Sequence, residues 1–458
     1  MNEGGYYLFN ELKERISGNI LSKDNELYDE KRKVWNGAIN KYPGAIVVCQ
    51  SEEDVVTAVK FANEKGLSIT ARGGGHHLAG TAVCDHGIMI DLSEMKQVIV
   101  DEEKCIAYVE GGATLGDIDA KTQKFGLAVP TGTVSETGVA GLALSGGMGY
   151  LRGKYGLTLD NIVGATIVTA DGQLLSIDEE NHKELFWAIR GGGGNFGIVT
   201  KFMFQLHSVG PEVLAADVIY DYQDAKQILK KAQEFLNNAP DEVSFNLLAA
   251  ELPKTPFLPE ALHHKKVVML SGMYSGNPKE GGEAIQPLRE LANPIIDQSG
   301  VTTYVELQKK FDPMVINYVP VFGTSLYFGE LNDQLINRLL ELMESAPAPT
   351  AMLHLWPTNG EMNRVPQDKT AFAIRDAQYG MLLEIIGLGV DVELCKKWID
   401  HAYNTLLPLS HRNSSYLNGI EVNDFATRNS LASNYDTLLK IKKKYDPTNI
   451  FRHNHNIK

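Results

Sequence analysis

The stretch ARGGGHHLAG, Ala71 to Gly80, sets two adjacent imidazoles among four glycines. Glycine lets backbone approach a ligand that a Cβ would hold off. Histidine adds a nucleophile or acceptor whose proton comes and goes near neutral pH. Such a loop can cradle phosphate, hold a metal ion or anchor a cofactor. The metal reading is weakest. His76, His77, Asp85 and His86 follow no common ligand spacing, and adjacent side chains rarely point the same way, so partly exposed loop histidines are the plainer reading.

Two other stretches approach known motifs and fail on context. Gly192 to Gly197, GGGNFG, fits G-x-G-x-x-G, which must follow a strand and open a helix to bind a dinucleotide. Here a helix pattern, HKELFWAI, precedes it and a strand pattern follows. A nicotinamide Rossmann site is therefore not expected; the stretch is a flexible connection or a backbone surface for a flat ligand. Ala143 to Gly147, ALSGG, has Ala143 where the nucleophile elbow needs its first glycine, so Ser145 does not read as a nucleophile. His453 to His455, HNH, is too short to carry weight alone.

Together these segments say more. Glycine-rich stretches surround Gly75, Gly147 and Gly194, each beside strand patterns of one region. Backbone N–H groups from several such stretches can bind a pyrophosphate without a cation. A large dinucleotide is the expected ligand.

The elements that must position these loops follow from periodicity. AIVVC (Ala45 to Cys49) is a buried-strand run. Ser51 opens S-E-E-D, an N-cap pattern, and Val55, Val59 and Ala62 follow at helical spacing until Gly66. LSITA (Leu67 to Ala71) then delivers the chain into the Gly-His loop. Strand patterns recur at IMIDL, VIV and IAYVEGG, and a helix is expected from Leu115 to Phe125, closed by Gly126. IVGATIVTA turns at Asp171-Gly172 into QLLSI, a hairpin signal. Past Gly210 the texture changes. Helical stretches such as DAKQILKKAQEFLNNA and LNDQLINRLLELMES alternate with the strand-like runs VSFNLLAA, KVVMLSGMY, SLYFGEL, AMLHLW and YGMLLEIIGL. Helices on one face of a mostly antiparallel sheet are expected there.

Bulk properties agree with an enzyme of two or three domains. The 458 residues are 43% apolar and 22% charged, and the net charge of −14 disfavours nucleic acid and anionic membrane as partners. No apolar run is long enough to span a bilayer, and the start lacks a signal-peptide pattern. Cys49, Cys84, Cys105 and Cys395 show no CxxC spacing, which fits a reducing compartment and no metal site. A cytoplasmic protein is the expectation.

Five segments in order carry a resemblance: PGAIVVCQSEEDVVTAVKFANEKGLSITARGGGHHLAG, GIMIDLSEM, GLALSGGMGYLRGKYGLTLDNIVGATIVTADG, ELFWAIRGGGGNFGIVTKFMFQL and KKYDPTNIFRHNHNI. The chain resembles the berberine bridge enzyme-like flavoproteins of the vanillyl-alcohol oxidase, or PCMH-type, fold. The resemblance is strong over residues 1–210 and the C-terminal tail and weak between. It implies an α+β fold with an FAD-binding domain in two parts, residues 1–210 and 411–458. A substrate domain, residues 211–410, is inserted between them, its antiparallel sheet covered by helices and roofing the isoalloxazine ring.

The resemblance also implies that His76 bonds covalently to the flavin C8 methyl. Loss of a methyl proton makes an electrophilic quinone methide to which a neutral imidazole held in contact adds. His77 stands in the same loop without a bond. Relatives with a second, cysteinyl link carry cysteine where this chain has Val134, so one link is expected, as in the 6-hydroxynicotine oxidase-like bacterial members. Cys84 reads as a small buried hydrophobe. By motif, Arg72, Gly73, Gly74, Gly75 and Gly80 are expected around the pyrophosphate. Gly138, Gly141, Leu142, Ser145, Gly146 and Gly149 should line phosphates and ring. Tyr155, Asp160 and Asn161 belong to the family stretch YGL-x-x-DN. Gly197, Ile198 and Val199 should lie by the adenine, and Asn454 and Asn456 should reach the flavin.

The implied chemistry is hydride removal from a C–H beside nitrogen or oxygen, helped by a base. The tyrosine that several relatives place before N-[YF]-x-x-L is missing, since Ser430 stands at that place. Tyr416, in SYLN with Asn418, is the first replacement, then Tyr379 or Glu384. Five residues apart on one strand, the last two face opposite ways, so at most one meets the flavin. The missing tyrosine favours an amine or secondary metabolite over a sugar, and an alcohol stays among the expected substrates. Dioxygen is the expected electron acceptor, yielding hydrogen peroxide. A gated pocket would make a dehydrogenase instead, and a flavin carrier with little turnover is a further alternative. A monomer or homodimer is expected.

Overall fold

The computed structural model describes residues 4–256 and 258–458. Four strands near the N-terminus form one sheet: β1 (Asn19–Leu21), β2 (Ala45–Val48), β3 (Ile69–Arg72) and β4 (Ile88–Asp91). Their order is β1-β2-β4-β3, with β4 parallel to both neighbours. All four side chains of β2 are buried, as its unbroken apolar run requires of a strand covered on both faces. The helix Glu52–Glu64 starts where expected: Ser51 accepts a hydrogen bond from the Asp54 N–H, and Val55, Ala58, Val59 and Ala62 are buried against the sheet.

The second sheet has five antiparallel strands: β5 (Val98–Asp101), β6 (Ile106–Glu110), β8 (Ile162–Val168), β9 (Leu174–Ile177) and β10 (Ile198–Gln205). Their order is β5-β6-β10-β8-β9. The short pair β7 (Leu127–Ala128) and β11 (His207–Ser208) lies apart. Helix Leu115–Thr122 carries a capping box between Thr114 and Asp117 and closes through a 3₁₀ turn at left-handed Gly126. The β8–β9 hairpin turns at Asp171-Gly172, where Gly172 has φ +74°.

The third sheet is antiparallel: β12 (Glu212–Asp221), β13 (Val243–Glu251), β14 (Lys266–Tyr274), β15 (Pro294–Asp297), β16 (Gly300–Thr303), β17 (Val321–Phe328), β18 (Ala351–Pro357) and β19 (Tyr379–Ile386). The order is β15-β12-β14-β13-β18-β19-β17, with β16 also against β12. Helices Ala225–Leu236, Gly282–Arg289, Asp333–Glu344 and Val392–Leu406 cover one face with an apolar core. The long strand β12 was not expected, and β17 starts before the SLYF run. The other face closes over the first two sheets. The C-terminal helix Tyr435–Tyr445 returns to the first part of the chain, burying Leu438 and Ile441 with Leu185, Phe186 and Ala188. Among the described residues, no helix is long and apolar enough to cross a membrane.

Candidate active site

A cavity of about 420 Å³ lies where the glycine-rich segments, the tail and the uncovered face of the third sheet meet. Its floor is backbone. Gly73 to Gly75, Gly138, Gly141 and Gly192 to Gly194 line it. A Cβ on Gly74 would lie 2.4 Å from the Gly138 nitrogen, so these two loops touch with no room for side chains. A Cβ on Gly141 or Gly194 would meet nothing within 4 Å. No lysine or arginine is among the lining residues, so an anionic group there would be met by peptide N–H donors.

His76 lines the cavity, its ring stacked on Trp35 at 4.7 Å and 13°. Its Nε2 lies 3.2 Å from Glu136 Oε1, and Asn317 Nδ2 donates to Glu136 Oε2 at 3.1 Å. The His76 contact, ahead of the cost of burial, holds the Glu136 carboxyl below the usual range. His77 is committed on both nitrogens: Nδ1 accepts from the Ala79 N–H at 3.1 Å, and Nε2 donates to the Leu417 carbonyl at 3.0 Å. His455 Nε2 donates to the same carbonyl at 2.8 Å. Burial lowers both pKa values, that of His455 to about 3, so the His455 ring is neutral. Asn195 Nδ2 donates to the His455 carbonyl at 3.1 Å and ties the tail to the glycine turn.

The third sheet contributes alternate residues of three strands: Asn246 and Leu248 of β13, His354 and Trp356 of β18, Leu382 and Glu384 of β19. Strand alternation sends the residues between them into the helix-covered core. His354 Nε2 and Glu384 Oε1 are 3.1 Å apart and partly buried. Tyr416 lies at the edge of this face. Its phenol oxygen accepts from the Gly147 N–H at 3.1 Å and Asn418 Nδ2 at 3.0 Å, and burial raises its pKa.

Of the residues singled out by sequence, His76, His77, Gly73, Gly74, Gly75, Gly138, Gly141, Leu142, Ser145, Gly197, Ile198, Val199, Asn454, Tyr416 and Glu384 line the cavity. Nine others do not. Arg72 sits opposite Asp91 in the β3–β4 register and donates to the Lys31 carbonyl at 2.5 Å, which turns it away. Gly80 backs onto Ile39, Gly146 onto the Tyr416 ring and Gly149 onto the Thr131 carbonyl. Tyr155 stacks on His207 at 3.8 Å, and Asn161 bonds the Tyr155 and Leu157 carbonyls. Asp160 pairs with buried Arg375 at 2.7 Å. Asn456 is absent from the lining. Tyr379 points into the helix-covered core, since it has the opposite strand parity to Glu384. Ser430 is outside as well, accepting from the Ser415 N–H at 2.9 Å.

Sequence reasoning missed Trp35, Asn195, Asn246, His354 and His455, all lining residues, together with Glu136. Asn246 and His354 did carry a signal: each is a polar residue in a mostly apolar strand run.

The lining suits FAD. Asn246 Oδ1, His453 Nε2 and Asn454 Oδ1 are buried without a hydrogen-bond partner among the described residues, and all three residues line the cavity. Unsatisfied buried polar atoms beside a glycine cradle are what a flat, heteroatom-edged dinucleotide would complete.

Comparison with known proteins follows the same lines. A family model described as FAD binding domain matches residues 43–178, and one described as berberine and berberine like matches residues 427–458. The chain is 31% identical to an FAD-linked oxidoreductase of Dictyostelium discoideum over 99% of its own length and 98% of that protein's. It is 37% identical to the (R)-6-hydroxynicotine oxidase of Paenarthrobacter nicotinovorans over 50% of each chain. The crystal structure of 6-hydroxy-D-nicotine oxidase from Arthrobacter nicotinovorans superposes with a TM-score of 0.84 at 28% identity, covering 97% of this chain and 98% of that one.

Proposed function

The chain belongs to the berberine-like FAD-linked oxidoreductases, and from that premise we infer an oxidase with FAD attached through His76 that takes hydride from a C–H beside nitrogen or oxygen of a small molecule. Bound FAD would supply the hydride acceptor and pass the electrons to dioxygen, yielding hydrogen peroxide. His76, the glycine loops and the tail asparagine Asn454 would hold it. The observation that carries the reading is the His354–Glu384 pair on the uncovered face of the third sheet, lining the same cavity as His76.

Glu384, hydrogen-bonded to His354, would take the proton from a substrate O–H or ammonium N–H, since an ammonium, or an alcohol that keeps its O–H proton, is a poor hydride donor. Leu248, Phe311, Trp356 and Leu382 give that end of the cavity apolar walls that exclude water and suit an aromatic or aliphatic body. The Glu384 carboxylate in such walls, with no lysine or arginine in the lining, favours an amine over a sugar acid or phosphorylated substrate. Tyr416 would act as a neutral hydrogen-bond donor or brace, because burial keeps its proton on.

Purified protein tests this. Flavin that stays with the acid precipitate supports the histidyl link, and flavin left in the supernatant would overturn it. Anaerobic mixing with panels of amines, alcohols and sugars reads hydride transfer as bleaching. Admitting air should restore the colour with stoichiometric peroxide. A flavin that no amine or alcohol bleaches would overturn the assigned reaction.

A further inference from the structure

We propose that Glu136 is a positioning residue for covalent flavin attachment, fixing the tautomer of His76 and holding the charge its ring acquires when Nδ1 becomes bonded. The proposal rests on the reading that His76 carries FAD.

The argument starts from what each atom can do. An ionised carboxylate only accepts hydrogen bonds, so the 3.2 Å contact requires the proton on His76 Nε2. In the neutral ring, the form that can bond to carbon, the lone pair is then on Nδ1, which makes no hydrogen bond among the described residues. Stacking on Trp35 fixes the ring plane, and Glu136 fixes rotation within it. Glu136 itself is held from the other side by Asn317. Its loop is pinned next door, where the Ser135 N–H and hydroxyl both donate to the Asp312 carboxylate, at 2.8 and 2.5 Å. The imidazole therefore presents one nitrogen and one tautomer before any ligand arrives. His77, beside it in sequence, has both nitrogens spent within the protein.

Bond formation would join Nδ1 to the flavin C8 methyl carbon at the loss of one methyl proton. The imidazole then carries two substituted nitrogens and a positive charge until Nε2 gives up its proton. Glu136 stands against that nitrogen and is the group to stabilise the charge or accept the proton. The two electrons left on the ring system go to dioxygen, and with the two protons released they form hydrogen peroxide, so atoms and electrons balance. Charge stabilisation by a placed carboxylate is a rate effect, and the neighbouring stack is a geometric one.

The test reads attachment, not turnover. Wild type, E136Q, E136A, E136D and H76A are purified, and flavin is scored twice, by retention on native gel filtration and by in-gel fluorescence after denaturation. Apoprotein fractions are then incubated aerobically with FAD to time the attachment. E136A and E136Q should bind FAD natively yet attach it at least about tenfold more slowly, a loss in the range of a missing acid–base group. E136D should recover part of the rate, and added formate should speed E136A. Attachment by E136Q and E136A at the wild-type rate would overturn this proposal alone. Wild-type flavin lost on denaturation, or covalent flavin in H76A, would overturn the His76 reading and this proposal with it.

Discussion

The Leu417 carbonyl accepts from two imidazoles at once, His77 and His455, and this fixes a proton on Nε2 of each ring. Each ring is buried and its pKa is lowered in the folded protein, that of His455 to about 3. Unfolded, both would titrate near 6.5. Between those values the unfolded chain binds protons that the folded chain refuses, so stability rises with pH. Urea unfolding at steps from pH 4.5 to 7.5 should therefore show stability falling on acidification below about 6.5, with His455 alone contributing a slope that approaches about 1.4 kcal/mol per pH unit. H455Q should shallow that slope; an unchanged slope would show that these rings are not its source. Glu384 belongs to this scale too. E384Q keeps the shape and a hydrogen bond to His354 but loses the basic oxygen. It should lower kcat by about 100-fold with flavin content unchanged. A loss of flavin instead would make Glu384 part of the binding scaffold.

At the scale of the element, β19 decides between two side chains. Its parity sets Glu384 in the cavity and Tyr379 in the core under the helices. The Tyr379 hydroxyl is buried there without a partner among the described residues. Y379F should thus stabilise the protein by on the order of 1 kcal/mol in a urea melt and leave kcat unchanged. A drop in kcat would put the phenol back in the chemistry. Alternation itself was readable in YGMLLEII, since a period of two requires no partner strand. Which of the two faces met the ligand was not. The helices that claim one face come from segments as distant as Ala225–Leu236 and Val392–Leu406. Arg72 lies outside the cavity lining for a related reason: its register partner Asp91 lies on β4, and nothing in ARGGGHH announces it.

For the whole molecule, the tail is the clasp. Lys442 is buried and its ammonium donates to Asp446 Oδ2 at 2.6 Å, to the Phe451 carbonyl at 2.9 Å and to the Asn195 carbonyl at 2.8 Å. Asp446 also takes the Ile450 and Phe451 N–H groups. One charge pair therefore joins the C-terminal helix, the last residues and the Gly192–Asn195 turn. K442M leaves the carboxylate buried and uncompensated, and it should cost about 3–5 kcal/mol of stability. It should also weaken flavin retention on gel filtration, because His453, Asn454 and His455 lose their anchor. Full retention at wild-type stability would show the clasp to be ornamental.

The sequence by itself determined the segments that must lie against a ligand. Glycine-rich turns, capping patterns and strand alternation are local preferences, written in neighbouring residues and independent of what packs around them. They placed the three backbone stretches, the loop that carries His76 and His77, and the helix-covered sheet. Only the tertiary structure decided which side chains complete the cavity. His76 meets Glu136 across 60 positions and His354 meets Glu384 across 30. Asn195 meets His455 across 260. Such pairs follow from register and from the closing of distant segments on one another, which no local pattern encodes.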